Sequence, residues 1–197
     1  MKIFSKLLLN FCIYYAKGIN RIKTYFFLKN FKSAGKNLHF HFPYNHIQGL
    51  EYISIGNTCY IDKNFFLAAI DRHWDDRFSP EIKIGNNFYM QFNCQISAIN
   101  KIIIGDNVII GPRVIITDHS HGNITKEELS IHPVKRKLIS KGPVIIGNNV
   151  WISAGVAILP NVTIGDNCII GANSVVTKSF EKNSVIAGNP ARLIRTL

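Results

Sequence analysis

Apolar residues recur at every sixth position through the second half of the chain. Counted from Ile146, the pairs run Ile146-Gly147, Ile152-Ser153, Ile158-Leu159, Ile164-Gly165, Ile170-Gly171 and Val176-Thr177. The frame returns upstream as Ile104-Gly105, Ile110-Gly111 and Ile116-Thr117, and again as Ile84-Gly85, Met90-Gln91 and Ile96-Ser97. A weaker set is Ile55-Gly56, Ile61-Asp62 and Leu67-Ala68, and slips of two residues separate some blocks. This period is too short for a helix pair. Its internal order is apolar, Gly or small, two polar, small or apolar, then variable, which predicts a short strand followed by a turn. A second apolar residue two places earlier (Ile82, Ile102, Val144, Val162) points to the same side of an extended strand. The pattern therefore predicts a solenoid with an Ile/Val stack inside and coils about 4.8 Å apart. Gly-Asn and Gly-Asp at the second and third positions are expected to supply the permissive backbone of its corners.

The N-terminal pattern differs. Phe4, Leu7, Leu8, Phe11, Tyr14, Tyr15, Ile22, Tyr25 and Phe26 recur at three- and four-residue steps, which predicts an amphipathic helix over much of 3–30 despite Gly18. The resulting plan is a basic helical segment over 1–46, repeats over 47–187 interrupted by an extruded loop at 118–143, and a tail over 188–197.

Composition agrees with the solenoid. The chain holds 32 Ile and 20 Asn, wall and corner residues, where a helical bundle would be rich in Leu and Ala. Hydrophobic residues make up 47% and charged residues 18%, which excludes a disordered chain. The net charge of +11 is uneven: the first acidic residue is Glu51, and residues before it carry eight Lys and Arg. Charge alone admits a nucleic-acid partner for that segment, but no recognition motif or aromatic stacking platform accompanies it, so none is expected. Its helix is expected either to lie on an anionic inner-membrane surface or to cap the solenoid or pack on a second subunit. Cys12, Cys59, Cys94 and Cys168 lie far apart with no C-x-x-C pair, which suits a reducing cytoplasm and no zinc site. Lys2 and Lys6 precede Leu7-Leu8-Leu9, but Asn10 breaks that run and no small-x-small cleavage site follows, so a secretory leader is not expected. No run of about 18 apolar residues predicts a membrane span.

The repeats, with Ile146-Gly-Asn-Asn-Val-Trp-Ile152 and Ala187-Gly-Asn-Pro-Ala-Arg192 most specific, resemble the hexapeptide-repeat acyltransferases, and most closely bacterial polysaccharide O-acetyltransferases. The resemblance implies an all-β fold, a left-handed parallel β-helix, with acetyl-CoA as co-substrate and no metal. It also implies a glycan acceptor and a homotrimer with active sites between subunits. A long loop inside a compact repeat is usually functional, and the family's catalytic base is the His near the loop's start, here His119 in Thr117-Asp118-His119. A His titrating near 6.5 suits removal of a hydroxyl proton at neutral pH. His121 is a possible substitute or support. Asp118 could orient the ring, although adjacent side chains tend to diverge, so a backbone carbonyl or another loop residue is an equal candidate. The resemblance places acetyl-CoA on Ala154, Ala172, Thr177, Lys178, Arg192 and Arg195, with the 188–197 tail contacting it. Gln91 stands where the family carries an acceptor-facing Asn, and Asn93, Asp71, Arg72 and Trp151 are further acceptor candidates, with Trp74 near a sugar-stacking surface. The spacing of His119, His121 and His132 does not match the related zinc-binding β-helix enzymes, and His39 with His41 lacks a third ligand. An acceptor that is a free sugar, small metabolite or antibiotic stays open, as does a non-catalytic scaffold in glycan assembly.

Overall fold

The computed structural model describes residues 2–123 and 125–197. Three parallel sheets form the three faces of a β-helix. Six strands from Ser33–Ala34 to Thr163–Ile164 stack in the first face, and six from His46–Gln48 to Val175–Val176 in the third. The second face has seven parallel strands, beginning with His39–Phe40, and an antiparallel eighth at its end. Register follows the repeat: Ile104 pairs with Ile84 and Ile146, Ile110 with Met90 and Ile152, and Ile116 with Ile96 and Ile158. The first residue of every pair in the six-residue frame is buried, so the stack predicted from spacing is the core. Each such side chain contributes roughly 1.5–3 kcal/mol relative to leaving it in water.

The corner between the first and second faces corrects the expected role of glycine. The residues with positive φ two places after a Gly there are Asn37, Thr58, Asn87, Asn107, Asn149 and Asn167. Glycine is needed for a different reason. A Cβ on Gly56 would lie 2.7 Å from the carbonyl of Gly85, and one on Gly105 would lie 2.8 Å from that of Gly147, so successive coils touch backbone to backbone. Asn takes the left-handed turn because its short amide tolerates that conformation. The amides then ladder along the edge, Asn87 to Asn107 at 3.0 Å, Asn107 to Asn149 at 3.0 Å, Asn149 to Asn167 at 3.2 Å and Asn167 to Asn183 at 2.9 Å.

Both ends depart from the sequence plan. Helix α1 spans Lys2–Leu28, but the first coil starts at Ser33 rather than at 47. This coil has a neighbour on one side only, so aromatic rings replace Ile at its open end. Phe27 of α1 packs on Phe40 and Phe31, with centroids 5.0 and 5.2 Å apart, and Phe40 packs on Phe65. The side chains of Phe4, Leu7 and Leu8, part of the helical spacing, lie outside the described residues. At the other end 188–197 is not a separate tail. Ser184–Gly188 continues the second face, and Ala191–Thr196 folds back antiparallel onto it through Gly188-Asn189-Pro190.

Two excursions leave the edge where the third face turns into the next coil. The predicted loop closes with Ser120–His121 paired antiparallel to Leu138–Ile139 and carries a short helix at Lys126–Leu129. Two coils earlier a hairpin pairs Arg72–His73 with Asp76–Arg77. The excursions meet: Trp74 Nε1 donates to the Val134 carbonyl at 3.1 Å, and Lys137 Nζ lies 3.0 Å from Asp76.

Candidate active site

The two-residue slip at Ile99-Asn100 leaves three consecutive backbone N–H groups turned inward at the excursion edge. The carboxylate of Asp118, fully buried, accepts all three: from Ile99 at 2.9 Å, Asn100 at 2.8 Å and Lys101 at 2.6 Å. Burial of a carboxylate is tolerated only with such satisfaction. The same group then holds a neighbour. His119 Nδ1 lies 3.0 Å from Asp118 Oδ1 and 3.3 Å from Thr117 Oγ1. Adjacent side chains do converge here, because Asp118 turns in under the edge and the His119 ring folds back over it. This contact fixes Nδ1 as the protonated nitrogen and leaves Nε2 as the basic one.

His121 stands apart from this pair. Its pKa is lowered, chiefly by burial and then by the neighbouring charges of His73 and His119. His73 was missed at the sequence level. Its ring lies 5.6 Å from that of His121, edge to face, and its Nε2 is buried without a hydrogen-bond partner. The signal available in the sequence is the stretch 71–81, which does not fit the six-residue repeat. A cavity of about 340 Å³ opens at this edge between Phe78, Ser79 and Asn100 on one side and Leu138 and Ser140 on the other.

The remaining candidates fall on other edges and faces. Asp71 and Arg72 begin the hairpin near His119; Tyr52 donates to Asp71 at 3.4 Å, and Arg72 donates to the Trp74 carbonyl at 2.9 Å. Thr177 and Lys178 share the His119 edge, since Ile116, Ile158 and Val176 are in register. Gln91 and Asn93 occupy the opposite edge of the third face, a strand's length from His119. Asn93 has φ of 58° and its N–H donates to the Lys63 carbonyl, so corner geometry alone accounts for an Asn there. Ala154 and Ala172 stack on that same edge, where the Ala154 carbonyl accepts from Asn173. Trp151 projects half-exposed from the second face in a row with Ile109 and Ile169. Arg192 and Arg195 lie exposed on the folded-back strand, opposite Ala187 and Val185. One chain thus joins Asp118 to His119 but keeps Gln91, Asn93 and Trp151 away from them.

Three cysteines serve the corners. Cys59, Cys94 and Cys168 donate to the carbonyls of Gly85, Gly111 and Glu181 at 3.3, 3.1 and 3.2 Å. Burial raises all three thiols, Cys94 to about 11, which suppresses thiolate chemistry. Among the described residues no group of three or more His, Cys, Asp or Glu is placed to hold a metal ion.

Comparison with known proteins agrees with this architecture. Residues 143–178 match the family described as bacterial transferase hexapeptide (six repeats). The chain is 34% identical over 177 residues to galactoside O-acetyltransferase of Escherichia coli strain K12, covering 83% of this chain and 77% of that one. It is 37% identical over 118 residues to a putative lipopolysaccharide biosynthesis O-acetyl transferase of the same strain, covering 58% of this chain and 60% of the relative. Among solved structures, a galactoside acetyltransferase in complex with coenzyme A superposes with a TM-score of 0.56 at 33% identity, covering 84% of this chain and 65% of the other. A maltose O-acetyltransferase from Clostridium difficile 630 gives 0.59 at 32% identity, covering 86% and 71%. With its stacked coils of six-residue repeats and an identity above three tenths across most of a galactoside O-acetyltransferase, the chain belongs to the hexapeptide-repeat acetyltransferase family.

Proposed function

We propose that this acetyltransferase uses acetyl-CoA to esterify a sugar hydroxyl of a bacterial surface polysaccharide, O-antigen or capsule, or of its precursor, with His119 as general base. The observation that carries the reading is the buried Asp118 carboxylate, held by three N–H groups and aimed at His119 Nδ1, at the point where the repeat opens. A loop histidine with no chemical task needs no such support.

When bound, acetyl-CoA supplies an acetyl group activated as a thioester. His119 Nε2 takes the proton of the acceptor hydroxyl as that oxygen bonds to the acetyl carbon. Asp118 keeps the proton on Nδ1 and stabilises the charge the ring then carries. As the carbon–sulfur bond breaks, His119 can return its proton to the departing thiolate. Ala154 and Ala172 present small side chains and backbone groups suited to a pantetheine arm along their edge. Lys178, Arg192 and Arg195 are exposed and form no ion pair among the described residues, which leaves their charge available to phosphates. The 188–191 turn brings the Arg pair back along the second face toward them.

The separation of His119 from Gln91, Asn93 and Trp151 supports a homotrimer in which the loop of one subunit meets the coils of the next. So does the exposed row of Tyr89, Ile109 and Trp151 on the second face. We read the coil as left-handed and the setting as cytoplasmic, on the same family grounds. The polysaccharide acceptor is supported by the likeness to the lipopolysaccharide O-acetyl transferase. The galactoside and maltose acetyltransferases favour a second reading, a free sugar. Incubation with acetyl-CoA and either glycan extracts or simple sugars separates them: mass spectrometry should locate a new acetyl ester on the glycan. An ester formed only on free sugars selects the second reading, and no thiol release with any acceptor defeats both.

A further inference from the structure

Only one face of α1 is used by the fold. Thr24 is buried against the first coil and donates to the Phe40 carbonyl, and Asn20, Phe27 and Leu28 are half-buried on the same side. About 200° around the helix, Phe11, Tyr15, Ile22 and Phe26 form a second row at steps of four, seven and four. These side chains are 67, 64, 61 and 62% exposed, and the rings of Phe11 and Tyr15 stack 6.2 Å apart. A helix whose apolar face is directed away from its own domain has to bury that face elsewhere.

The charges say against what. Lys23 and Lys29 lie on either side of the row, Lys17 and Arg21 line the cleft between α1 and the first coil, and no acidic residue precedes Glu51. Lys17 Nζ lies 5.9 Å over the Tyr14 ring and Lys29 Nζ 4.6 Å over Tyr25, so long cationic arms already reach along the aromatic surface as at a lipid interface. Pairing two copies of α1 face to face would bring these cations together with no acid on either helix to offset them. Anionic phosphates remove that conflict. No described helix is long and apolar enough to cross a membrane, which leaves the interface plane.

We propose that α1 is an in-plane membrane anchor: its Thr24 and Phe27 side caps the β-helix while its Phe11, Tyr15, Ile22 and Phe26 row enters the interface of an anionic bilayer. Neither half of this depends on the acetyl-transfer reading. The helix joins the solenoid at its first coil, so docking presents that end of the β-helix to the membrane.

Vesicle co-sedimentation of the full chain at low salt tests it. Binding is expected to phosphatidylglycerol/phosphatidylcholine vesicles and not to phosphatidylcholine alone. Phe11→Ser/Ile22→Ser and Lys23→Glu/Lys29→Glu should each reduce the bound fraction roughly tenfold or more, with the circular dichroism of the β-helix unchanged because all four side chains are exposed. A chain that stays in the supernatant with both vesicle types overturns the proposal. So does binding that ignores both lipid charge and the Glu variants. Sedimentation equilibrium identifies a second copy as the true occupant if Phe11→Ser/Ile22→Ser splits an assembly and leaves lipid binding intact.

Discussion

The two edges that bound the first face of the β-helix have opposite characters. At the edge leading into the second face the coils repeat the same turn with no insertion, glycine against glycine from Gly56 to Gly165 and Asn against Asn from Asn87 to Asn183. The edge arriving from the third face carries the two-residue slip, the hairpin and the long loop. Their backbone groups are satisfied by particular side chains, Asp118 above all. A perfect repeat offers no concavity and no unusual polar group, because each residue is already matched to its copy one coil away. Chemistry enters where that matching fails and one residue must do what a stack of copies does elsewhere.

The contrast is broken most sharply by His119→Ala. Turnover with the acceptor should fall by about 10²–10⁴-fold, with the melting temperature unchanged, as measured by thiol release and calorimetry. Unchanged turnover would remove the base assignment. Asp118→Asn should act on both properties. Rate should fall on the order of 10²-fold or more as the ring loses its fixed tautomer, and stability by about 1–3 kcal/mol for each donor among Ile99, Asn100 and Lys101 left unsatisfied. A rate loss with no change in the pH–rate profile would mean that Asp118 only holds the edge together. Gly105→Ala, on the regular edge, should do the reverse. Its new Cβ would sit 2.6 Å from Asn148 Oδ1, which should cost about 1–3 kcal/mol and lower the melting temperature by roughly 2–4 °C per kcal/mol, with turnover per folded molecule retained.

The smallest effect concerns His121. Its pKa is lowered in the folded protein, so as pH falls the unfolded chain takes up the proton first, and the loop is less stable in acid than at neutral pH. The protection factor for hydrogen exchange over 118–139, taken relative to the intrinsic rate at each pH, should fall between about pH 7.5 and about pH 5.5 in the parent and less so in His121→Gln. Equal loss of protection in both would assign the effect to His73 or another group.

Much of the regular edge was legible in the residues. Spacing alone identified the buried frame from Ile55 to Val176, because an inward position must recur on each of the three faces that make a coil. Glycine's role was misread for a physical reason: Gly and Asn are both permissive of positive φ, and only the packing distance between coils shows that Gly is required by contact and Asn by conformation. The start of the first coil at Ser33 escaped notice because an end coil is free of the constraint that makes the others alike. His73 stayed hidden since its position depends on two excursions meeting, and no local pattern records that. Gln91 and Trp151 are named as acceptor residues by resemblance and Asn93 as a further candidate; within one chain they lie a full strand from His119.

The sequence by itself determined the period, the contents of the core, the place where the repeat breaks and the concentration of cations ahead of Glu51. Short-range periodicity carries these, since each coil packs only on its neighbours. Tertiary structure alone decided that Asp118 reaches His119 through the slip at Ile99-Asn100. It alone decided that the hairpin braces the loop, and that α1 turns its aromatic row away from the solenoid. Those arrangements depend on where separate departures from the repeat come together in space, and no periodicity within the chain specifies that.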